Sequence, residues 1–341
     1  MELSVLAIDL AKSVFQLHGA DARGKQVLSK KLRRSQLSTF IARARPCTIA
    51  MEACSGAHFW ARQFGEFGHT MKLIAPQFVK PYVKSNKNDR ADAAAICEAA
   101  QRPDMRFVPI KTIEQQEIQN LHRVRQRVVT ERTALINQTR GLLTEHGLVL
   151  PQGSGEVLKR LHDVVAKGVE QGLMTEMGRK TFEDLGSELV QAEERIDRLD
   201  KRILAIHKAH PVSQRLAEVP GVGPITATAV MAAVGDPHVF KNGRQCAAWL
   251  GLVPRQHSSG GKERLLGISK RGDSYLRQLL VHGARSEIRW LDRRSETRQT
   301  LWLRNLIVRR GMNRAVVALA NKNARRLWVL MARQVDYDAA A

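Results

Sequence analysis

Four acidic residues stand where a basic chain could bind a metal ion. Asp9 ends the apolar stretch LAID, Glu52 ends IAME, and Asp89 and Asp92 open an alanine-rich segment. A carboxylate at the end of a buried strand is costly to leave unpaired. Two strand ends and a helix start can meet at one sheet edge, where hard oxygen ligands suit Mg²⁺ or Mn²⁺. Two such ions, about 4 Å apart, would bind the attacking and leaving oxygens of a phosphodiester.

Each acid also has an ordinary structural interpretation. Asp9 could begin a turn, Asp89 could cap a helix N-terminus, and Asp92 could simply be favoured by the helix dipole. The four together, in strand–strand–helix order within a basic chain, favour metal binding over these separate roles.

The segment LAEVPGVGPITATAV, residues 216–230, is similar to a helix-hairpin-helix element. Gly221 and Gly223 would let the backbone approach a phosphate, and the first N–H groups of the following helix could bind it. Such a hairpin contacts the DNA backbone without reading base sequence. The alternative is a helical turn that only packs.

The segment HSSGGKERLLGISKRGDSYLR, residues 257–277, could supply a nucleophile. Ser258 and Ser259 precede a glycine pair, but a serine hydroxyl needs a base or a metal to activate it. Clustered cations would suit a phosphate reacting there. The predicted phosphate-binding side chains are Lys262, Arg264, Lys270, Arg271 and Arg277. The alternative is a solvated hairpin loop, in which Gly272 and Asp273 form the turn before a helix.

Apolar periodicity predicts the elements that position these residues. Residues 1–105 predict a three-stranded meander and then alternating helices and strands, which indicates a mixed sheet with helices on its faces. Residues 112–146 predict one long helix, and a second helix has a heptad pattern typical of a coiled coil. Its apolar positions are Leu185, Leu189, Ala192, Ile196, Leu199, Ile203 and Ile206. An intrachain helical hairpin and an oligomer contact explain this pattern equally well.

These patterns predict three domains. Residues 1–108 form an α/β domain with the acids, and residues 109–210 form a helical coiled-coil region. Residues 211–341 form a mostly α domain, rich in arginine, with the helix-hairpin-helix element and the serines.

The composition of the chain favours a polyanionic partner. Its 55 Lys+Arg against 33 Asp+Glu give a formal net charge of +22, which repels itself unless a polyanion neutralises it. Nucleic acid is therefore the leading partner, and a membrane surface is the rival. No run of 18 apolar residues predicts a spanning helix, and the N-terminus lacks signal-peptide features. The four cysteines form no CxxC pair, which favours reduced thiols in a cytosolic protein.

The order of the acids resembles the RNase H-like fold and, within it, RuvC-type nucleases. Over nearly its whole length the chain resembles insertion-sequence transposases related to the Piv DNA invertase, which are bridge-RNA-guided recombinases. AIDLAK, MEAC and KNDRADAAAI match the acid motifs of that family. PGVGPITA and AAWLGLVPRQHSSGGKERLLGISKRGD match its C-terminal transposase domain.

The resemblance implies a RuvC-like catalytic domain whose acids bind Mg²⁺ or Mn²⁺, namely Asp9, Glu52, Asp89 and Asp92. It implies a serine nucleophile that links to DNA, placed at Ser259 with Ser258 as the open alternative. The implied partners are donor and target DNA, a noncoding bridge RNA and further copies of the chain, as a dimer or tetramer with composite active sites. The implied location is the bacterial cytoplasm, associated with the nucleoid and not with a membrane.

Two other functions are compatible with the same residues. A RuvC-like Holliday-junction endonuclease would act by metal-assisted hydrolysis, with water as the attacker and Ser259 dispensable. A non-catalytic DNA- or RNA-binding protein would need none of the four acids. The acids argue against this second alternative, because carboxylates near a phosphate repel it unless a cation intervenes.

Overall fold

The computed structural model describes residues 2–84 and 88–338. The chain divides into two compact units, Met1–Thr112 and Ile113–Ala341, called here the N-terminal and C-terminal units. The C-terminal unit contains both the middle and the last of the three predicted regions, so the division after residue 210 stays a prediction. Lys87, the first residue of the KNDRADAAAI motif, lies outside the described residues.

The N-terminal unit is a mixed sheet with helices on both faces. The strands are β1 (Val5–Asp9), β2 (Val14–Ala20), β3 (Gln26–Arg33), β4 (Thr48–Glu52), β5 (Thr70–Ile74) and β6 (Phe107–Val108). The helices are α1 (Arg34–Ala42), α2 (Ala57–Glu66), α3 (Pro76–Val79) and α4 (Asp89–Ala100). The strand order is β3-β2-β1-β4-β5-β6. The predicted meander and the alternation that follows it are confirmed, whereas the two-residue strand β6 is too short to give a sequence pattern.

Strand alternation divides the core of this unit between the two faces. Leu6 and Ile8 of β1 pack with α1 and α2, whereas Val5 and Ala7 pack with α3 and α4. β1 is antiparallel to β2, β2 to β3, and β1 and β4 are parallel, as are β4 and β5. This order and these directions are consistent with the predicted RNase H-like fold.

The C-terminal unit is largely helical. Its helices are α5 (Ile113–Glu145), α6 (Ser154–Glu170), α7 (Glu176–Ala209), α8 (Pro211–Ala217), α9 (Pro224–Val234), α10 (Gly243–Trp249), α11 (Ser274–Arg289), α12 (Arg298–Arg310) and α13 (Met312–Arg333). One antiparallel hairpin interrupts them, formed by β7 (Pro254–Gln256) and β8 (Leu265–Ile268). The long helix predicted over residues 112–146 is confirmed as α5, whereas α6 was not predicted.

The heptad positions of α7 are used inside the chain. Arg132 pairs with Glu193 and Arg125 with Asp200, so residue numbers rise on α5 as they fall on α7 and the two helices are antiparallel. The buried heptad positions are Leu189, Ile196, Leu199 and Ile203. These apolar side chains pack within the unit, which favours the intrachain hairpin over an oligomer contact. A regular coiled coil stays a prediction.

Within residues 2–84 and 88–338, none of the helices combines the length and the apolar character that a membrane span requires.

Candidate active site

Asp9 and Glu52 are the last residues of neighbouring parallel strands. β1 and β4 are in register up to the residue before each acid, so the two acids follow side by side. Side chains alternate along a strand, which places Asp9 on the face of Ala7 and Glu52 on the face of Ala50. Ala7 and Ala50 belong to the core between the sheet and α4. Both half-buried acids therefore lie at one sheet edge, on the face that α4 covers.

The other two acids lie in the first turn of α4, and neither is its cap. Asn88 is the N-cap, because its side-chain oxygen accepts a hydrogen bond from the Ala91 N–H at 2.9 Å. The cap interpretation of Asp89 is therefore wrong. Asp89 and Asp92 are left as acids at the positive end of the helix dipole.

An ion pair shows which cross-strand row of the sheet lies beside the start of α4. Asp9 lies opposite Gln16 on β2, and Gln16 lies opposite Lys31 on β3. The Lys31 ammonium in turn lies 3.4 Å from an Asp89 carboxylate oxygen. The start of α4 is thus on the same cross-strand row as Asp9. Both members of the pair are well exposed, and such pairs contribute little stability, so the Asp89 carboxylate can exchange this partner readily.

The thiol of Cys54 reports the local charge of the strand ends. Partial burial raises the pKa of Cys54, and the negative charges of Glu52 and Asp9 raise it further. These directions agree with the register of β1 and β4, which places both carboxylates at adjoining strand ends. Deprotonation of the thiol is disfavoured, which makes Cys54 a poor nucleophile.

The donor set suits a hard divalent cation, although the side chains are not gathered into a coordination sphere. Carboxylate oxygens are the ligands that Mg²⁺ and Mn²⁺ prefer. Across residues 2–84 and 88–338, no group of three or more histidine, cysteine, aspartate or glutamate side chains is close enough to bind one ion. The fold thus places the two strand-end acids and the first turn of α4, which carries the other two, on one face of the sheet. A cation would have to offset the repulsion between their charges for them to converge.

The serine motif is the tip of the β7–β8 hairpin. Ser259 and Lys262 form a bridge, and the Lys262 N–H donates to the Ser259 carbonyl at 3.1 Å. Gly260 and Gly261 between them have φ of 54° and 76°. A two-residue turn with both φ values positive favours glycine at both positions and matches the twist of a hairpin. The hairpin interpretation therefore explains the glycine pair, and the turn displays Ser259 at its corner.

The two serines differ in their hydrogen bonds. The Ser258 hydroxyl oxygen accepts from the Gln256 side-chain amide at 3.0 Å and from the Arg264 N–H at 3.2 Å. The Ser259 hydroxyl is exposed and makes no hydrogen bond within the described part of the chain. Ser258 is therefore engaged in bracing the hairpin, whereas Ser259 is available to a ligand. The assignment of Ser259 as the nucleophile stays a prediction.

The predicted phosphate-binding side chains differ in exposure and in hydrogen bonding. Lys262, Arg264, Lys270 and Arg271 are exposed. The Arg277 guanidinium instead donates from Nη1 to the Leu250 and Arg271 carbonyls, at 3.0 and 2.9 Å. Arg277 thus supports the segment between the hairpin and α11, and only its remaining N–H groups face other partners. The predicted turn at Gly272–Asp273 is confirmed, since Asp273 caps α11.

This segment depends on two glycines. A Cβ on Gly272 would lie 1.9 Å from the Trp249 carbonyl oxygen, and one on Gly251 would lie 2.2 Å from the Arg271 carbonyl oxygen. Both residues also have positive φ, at 74° and 71°. The backbone of Gly272 packs directly on that of Trp249, and the backbone of Gly251 packs on that of Arg271. These contacts hold the two segments at the base of the serine hairpin together.

We expect Gly272→Ala to destabilise the protein by about 3 kcal/mol or more, through overpacking and a left-handed backbone. Gly260→Ala is the matched control, because Gly260 also has positive φ but has open space around its Cβ position. It should cost only about 1 kcal/mol. Thermal unfolding midpoints of the two variants measure the difference, and equal midpoints would contradict this account of Gly272.

The predicted helix-hairpin-helix glycines have separate roles. Gly221, with φ of 84°, lies between α8 and α9, and a Cβ there would be 2.8 Å from the Gly283 carbonyl of α11. A Cβ on Gly283 would be 1.8 Å from the Gly221 carbonyl. Packing against α11 therefore explains Gly221 without a phosphate. Gly223 is exposed, has open space around it and precedes α9, so it is the more accessible of the two glycines to a phosphate.

A buried polar group in this unit leaves little signature in the sequence. His122 of α5 is 2% exposed, and its ring nitrogens lie 3.0 Å from the Thr228 hydroxyl and 3.0 Å from the Tyr275 hydroxyl. Burial, and then the charge of Arg125, lower the pKa of His122 to about 4, although Asp200 opposes this shift. The imidazole is neutral and links α5, α9 and α11. The sequence indicates this buried position only by placing a histidine seven residues before Val129, in line with the apolar row of α5.

The stability of the protein should fall as the pH falls from 6.5 to 4. The unfolded chain protonates His122 near pH 6.5 and the folded chain only near 4, so the unfolded state binds more protons between these values. Protonation of this group should lower the free energy of unfolding by about 1.4 kcal/mol per pH unit, and by about 3 kcal/mol over the whole range. Urea unfolding at several pH values should show a shallower dependence for His122→Gln than for the natural chain. Equal slopes for His122→Gln and the natural chain would contradict this account of His122.

Comparison with known sequences covers both units. The model of the Transposase IS116/IS110/IS902 family matches residues 213–299, and a DEDD transposase domain, described as Transposase, matches residues 6–147. The first segment contains the α8–α9 turn and the serine hairpin, and the second contains all four acids.

Several relatives are similar over their whole length. The chain is 51% identical over 337 residues to a probable family 20 transposase of Pseudomonas aeruginosa, with 99% of each chain covered. It is 48% identical over 340 residues to the transposase for insertion sequence element IS1111A of Coxiella burnetii, covering 100% of this chain and 93% of the relative. It is 43% identical over 328 residues to the transposase for insertion sequence element IS1328 of Yersinia enterocolitica, with 96% of each chain covered.

Proposed function

The chain belongs to the IS116/IS110/IS902 family of transposases, and we propose a mechanism by which it cuts and rejoins the DNA of an insertion sequence. In this proposal Ser259 is the nucleophile, and Mg²⁺ or Mn²⁺ binds to Asp9, Glu52, Asp89 and Asp92. The observation on which it rests is the position of Asp9 and Glu52 at neighbouring strand ends, on the face that α4 covers.

The charge of these acids supports a catalytic role over an architectural one. The protein is strongly basic, and carboxylates at a DNA-binding surface weaken phosphate binding unless a cation lies between them. When bound, a divalent cation would polarise the scissile phosphate and stabilise charge on its oxygens. None of the four acids caps a helix, which removes one structural explanation for their presence.

The serine mechanism keeps the number of phosphate ester bonds constant. The Ser259 hydroxyl loses its proton and its oxygen attacks phosphorus, the bond to the leaving DNA oxygen breaks, and that oxygen becomes a free hydroxyl by taking a proton. A DNA hydroxyl then attacks the same phosphorus and the bond to Ser259 breaks, which returns the serine oxygen to a hydroxyl. Each step forms one P–O bond and breaks one, so strands are exchanged without ATP.

Cations near Ser259 support phosphate binding. Lys262 and Arg264 are exposed on the same hairpin and can neutralise charge that develops on the phosphate. The exposed Gly223 at the start of α9 supports a backbone contact by the predicted helix-hairpin-helix element. Both contacts are independent of base sequence.

The partners belong to the same proposal. A noncoding bridge RNA would pair with donor and target DNA, and the net charge of +22 supports binding of such polyanions. The chain would act as a homo-oligomer, a dimer or a tetramer, in which the acids of one subunit meet the serine of another.

A trapping assay tests the mechanism. The protein is mixed with element-end DNA, the flanking transcript and Mg²⁺, denatured, and examined for DNA covalently bound to protein. We expect an adduct that maps to the peptide containing Ser259. Cut DNA without an adduct would indicate metal-assisted hydrolysis, as in a Holliday-junction endonuclease. Bound but uncut DNA would indicate a binding protein, and either outcome would refute the serine mechanism.

A further inference from the structure

A groove on the N-terminal unit is lined by cations and aromatic rings. Its volume is about 780 Å³, and it lies between the start of β2, the end of β3 and α2. The lining residues that matter here are Lys12, Arg33, Arg34, Phe59, Trp60 and Gln63. No carboxylate is among its described lining residues, so the groove favours an anionic ligand.

Phe59 is an aromatic platform with a rigid base. Its side chain is 48% exposed, whereas the neighbouring Trp60 is 5% exposed. The two rings meet edge to face, with centroids 5.1 Å apart and planes at 72°. The Arg34 guanidinium lies 5.2 Å from the centroid of the Trp60 ring. These contacts fix Trp60, and Trp60 supports Phe59 beside open solvent.

Arg34 is held in the groove by hydrogen bonds to the backbone. The Arg34 N–H donates to the Ser13 carbonyl at 2.9 Å, and Arg34 Nη1 donates to the Lys12 carbonyl at 3.4 Å. Arg34 thereby fixes the loop that presents Lys12. Lys12 and Arg33 are exposed, and neither forms an ion pair within the described ranges. Both charges are free to bind a phosphate.

Gln63 supplies an unsatisfied acceptor. Its side-chain carbonyl oxygen is buried, and among the described residues no donor reaches it. A buried acceptor without a partner is costly, and rotation of the Gln63 amide toward a ligand that donates an N–H or O–H would remove that cost.

The groove adjoins the loops that follow the candidate acids. Lys12 comes three residues after Asp9, and Phe59 comes seven residues after Glu52. Binding residues concentrate on loops at the ends of strands, where a rigid sheet positions them. The groove therefore lies at the same edge of the sheet as the acids, on the opposite face, where α1 and α2 pack.

We propose that this groove binds an unpaired nucleotide segment of the nucleic-acid substrate. Phe59 stacks on one base, Lys12 and Arg33 bind the flanking phosphates, and Gln63 accepts a hydrogen bond from the base or the sugar. Stacking on an exposed ring requires a base that is free of its duplex, so the ligand is single-stranded at this point. The inference rests on the proposed function only in taking the substrate to be nucleic acid.

Equilibrium binding in EDTA tests the groove without any catalytic step. The full chain is titrated against labelled oligothymidylate, oligouridylate and a duplex of the same length. Phe59→Ala should weaken binding of both single strands about tenfold or more and leave duplex binding unchanged. Phe59→Tyr should retain binding, since a phenol ring also stacks. The thermal unfolding midpoint of each variant shows that it is folded.

Matched variants separate stacking from a general loss of apolar surface. Phe67 is 36% exposed, follows α2 and lies outside the groove, so the control variant Phe67→Ala should bind normally.

The salt dependence of binding tests the cations. Lys12→Gln and Arg33→Gln should each reduce the slope of log K against log salt concentration for single strands by about 0.7, whereas Arg23→Gln in the β2–β3 turn should not. Equal affinities for Phe59→Ala and Phe67→Ala, or an equal loss on the duplex, would overturn the proposal.

The two single strands identify the donor to Gln63. If Gln63→Leu weakens only oligouridylate binding, the donor is the ribose 2′-hydroxyl and the ligand is RNA. If it weakens both single strands, the donor is on the base. No effect on either would remove Gln63 from the proposal. Because the assay needs neither metal nor cleavage, a failed trapping experiment and a failed groove experiment are distinguishable.

Discussion

Ser259→Ala abolishes the covalent protein–DNA adduct and lowers the rate of strand exchange by roughly 10⁴-fold or more, as expected when an enzyme loses its nucleophile. The fold should be unaffected, because the Ser259 side chain is exposed and makes no hydrogen bond in the described structure. The turn is held by the backbone bridge between Ser259 and Lys262, which alanine preserves. The measurement is the yield of adduct and of exchanged product under single-turnover conditions.

Ser258→Ala is the matched control at the adjacent position. It removes the acceptor for the Gln256 amide and the Arg264 N–H, so it should loosen the hairpin and lower activity by about tenfold at most. The adduct should still form and should map to Ser259. An adduct that survives Ser259→Ala and disappears with Ser258→Ala would assign the nucleophile to Ser258 instead.

Asp9→Asn and Glu52→Gln should each lower strand exchange by roughly 10³-fold, because a catalytic cation supplies several kcal/mol of transition-state stabilisation. Both substitutions keep the size of the side chain and remove its charge. Adduct formation should be lost as well, since the acids act in the same step as the serine. Binding of DNA in EDTA should be unchanged or tighter, because a carboxylate without its cation repels phosphate.

An exposed acid of the same unit is a suitable control for this loss of charge. Glu66→Gln changes the net charge equally at the end of α2, before the start of β5 and away from the edge of the sheet that carries the acids, and it should retain activity. If Asp9→Asn is as active as Glu66→Gln, the proposed metal site is wrong. If the acid variants lose cutting while Ser259→Ala keeps it, the protein hydrolyses DNA with metal and water.

The sequence alone determined the elements of the N-terminal unit and the placement of its acids. Alternation and apolar runs are local patterns, so β1 and β4 could be recognised from LAID and IAME, with an acid at the end of each. The charge of +22 indicated a polyanionic partner without reference to any fold. The short strand β6 could not be recognised, because two residues give no periodicity.

Tertiary structure decided what each candidate residue is free to do. Gly221 stays a predicted phosphate contact, but its backbone also packs on Gly283, which is distant in sequence and cannot be paired with it from one chain. Likewise, the Asp89 cap role belongs to Asn88, and the hydroxyls of Ser258 and Ser259 differ because the Arg264 N–H reaches Ser258 from the other arm of the hairpin.

The same limit applies to His122 and to the groove at Phe59. The polar partners of His122 come from α9 and α11, and the groove joins residues of β2, β3 and α2. Residue type and local spacing are properties of the sequence, whereas burial and hydrogen-bond partners depend on contacts between segments far apart in the chain. The sequence therefore determined which residues could do chemistry, and the fold decided which of them are exposed, paired or brought together.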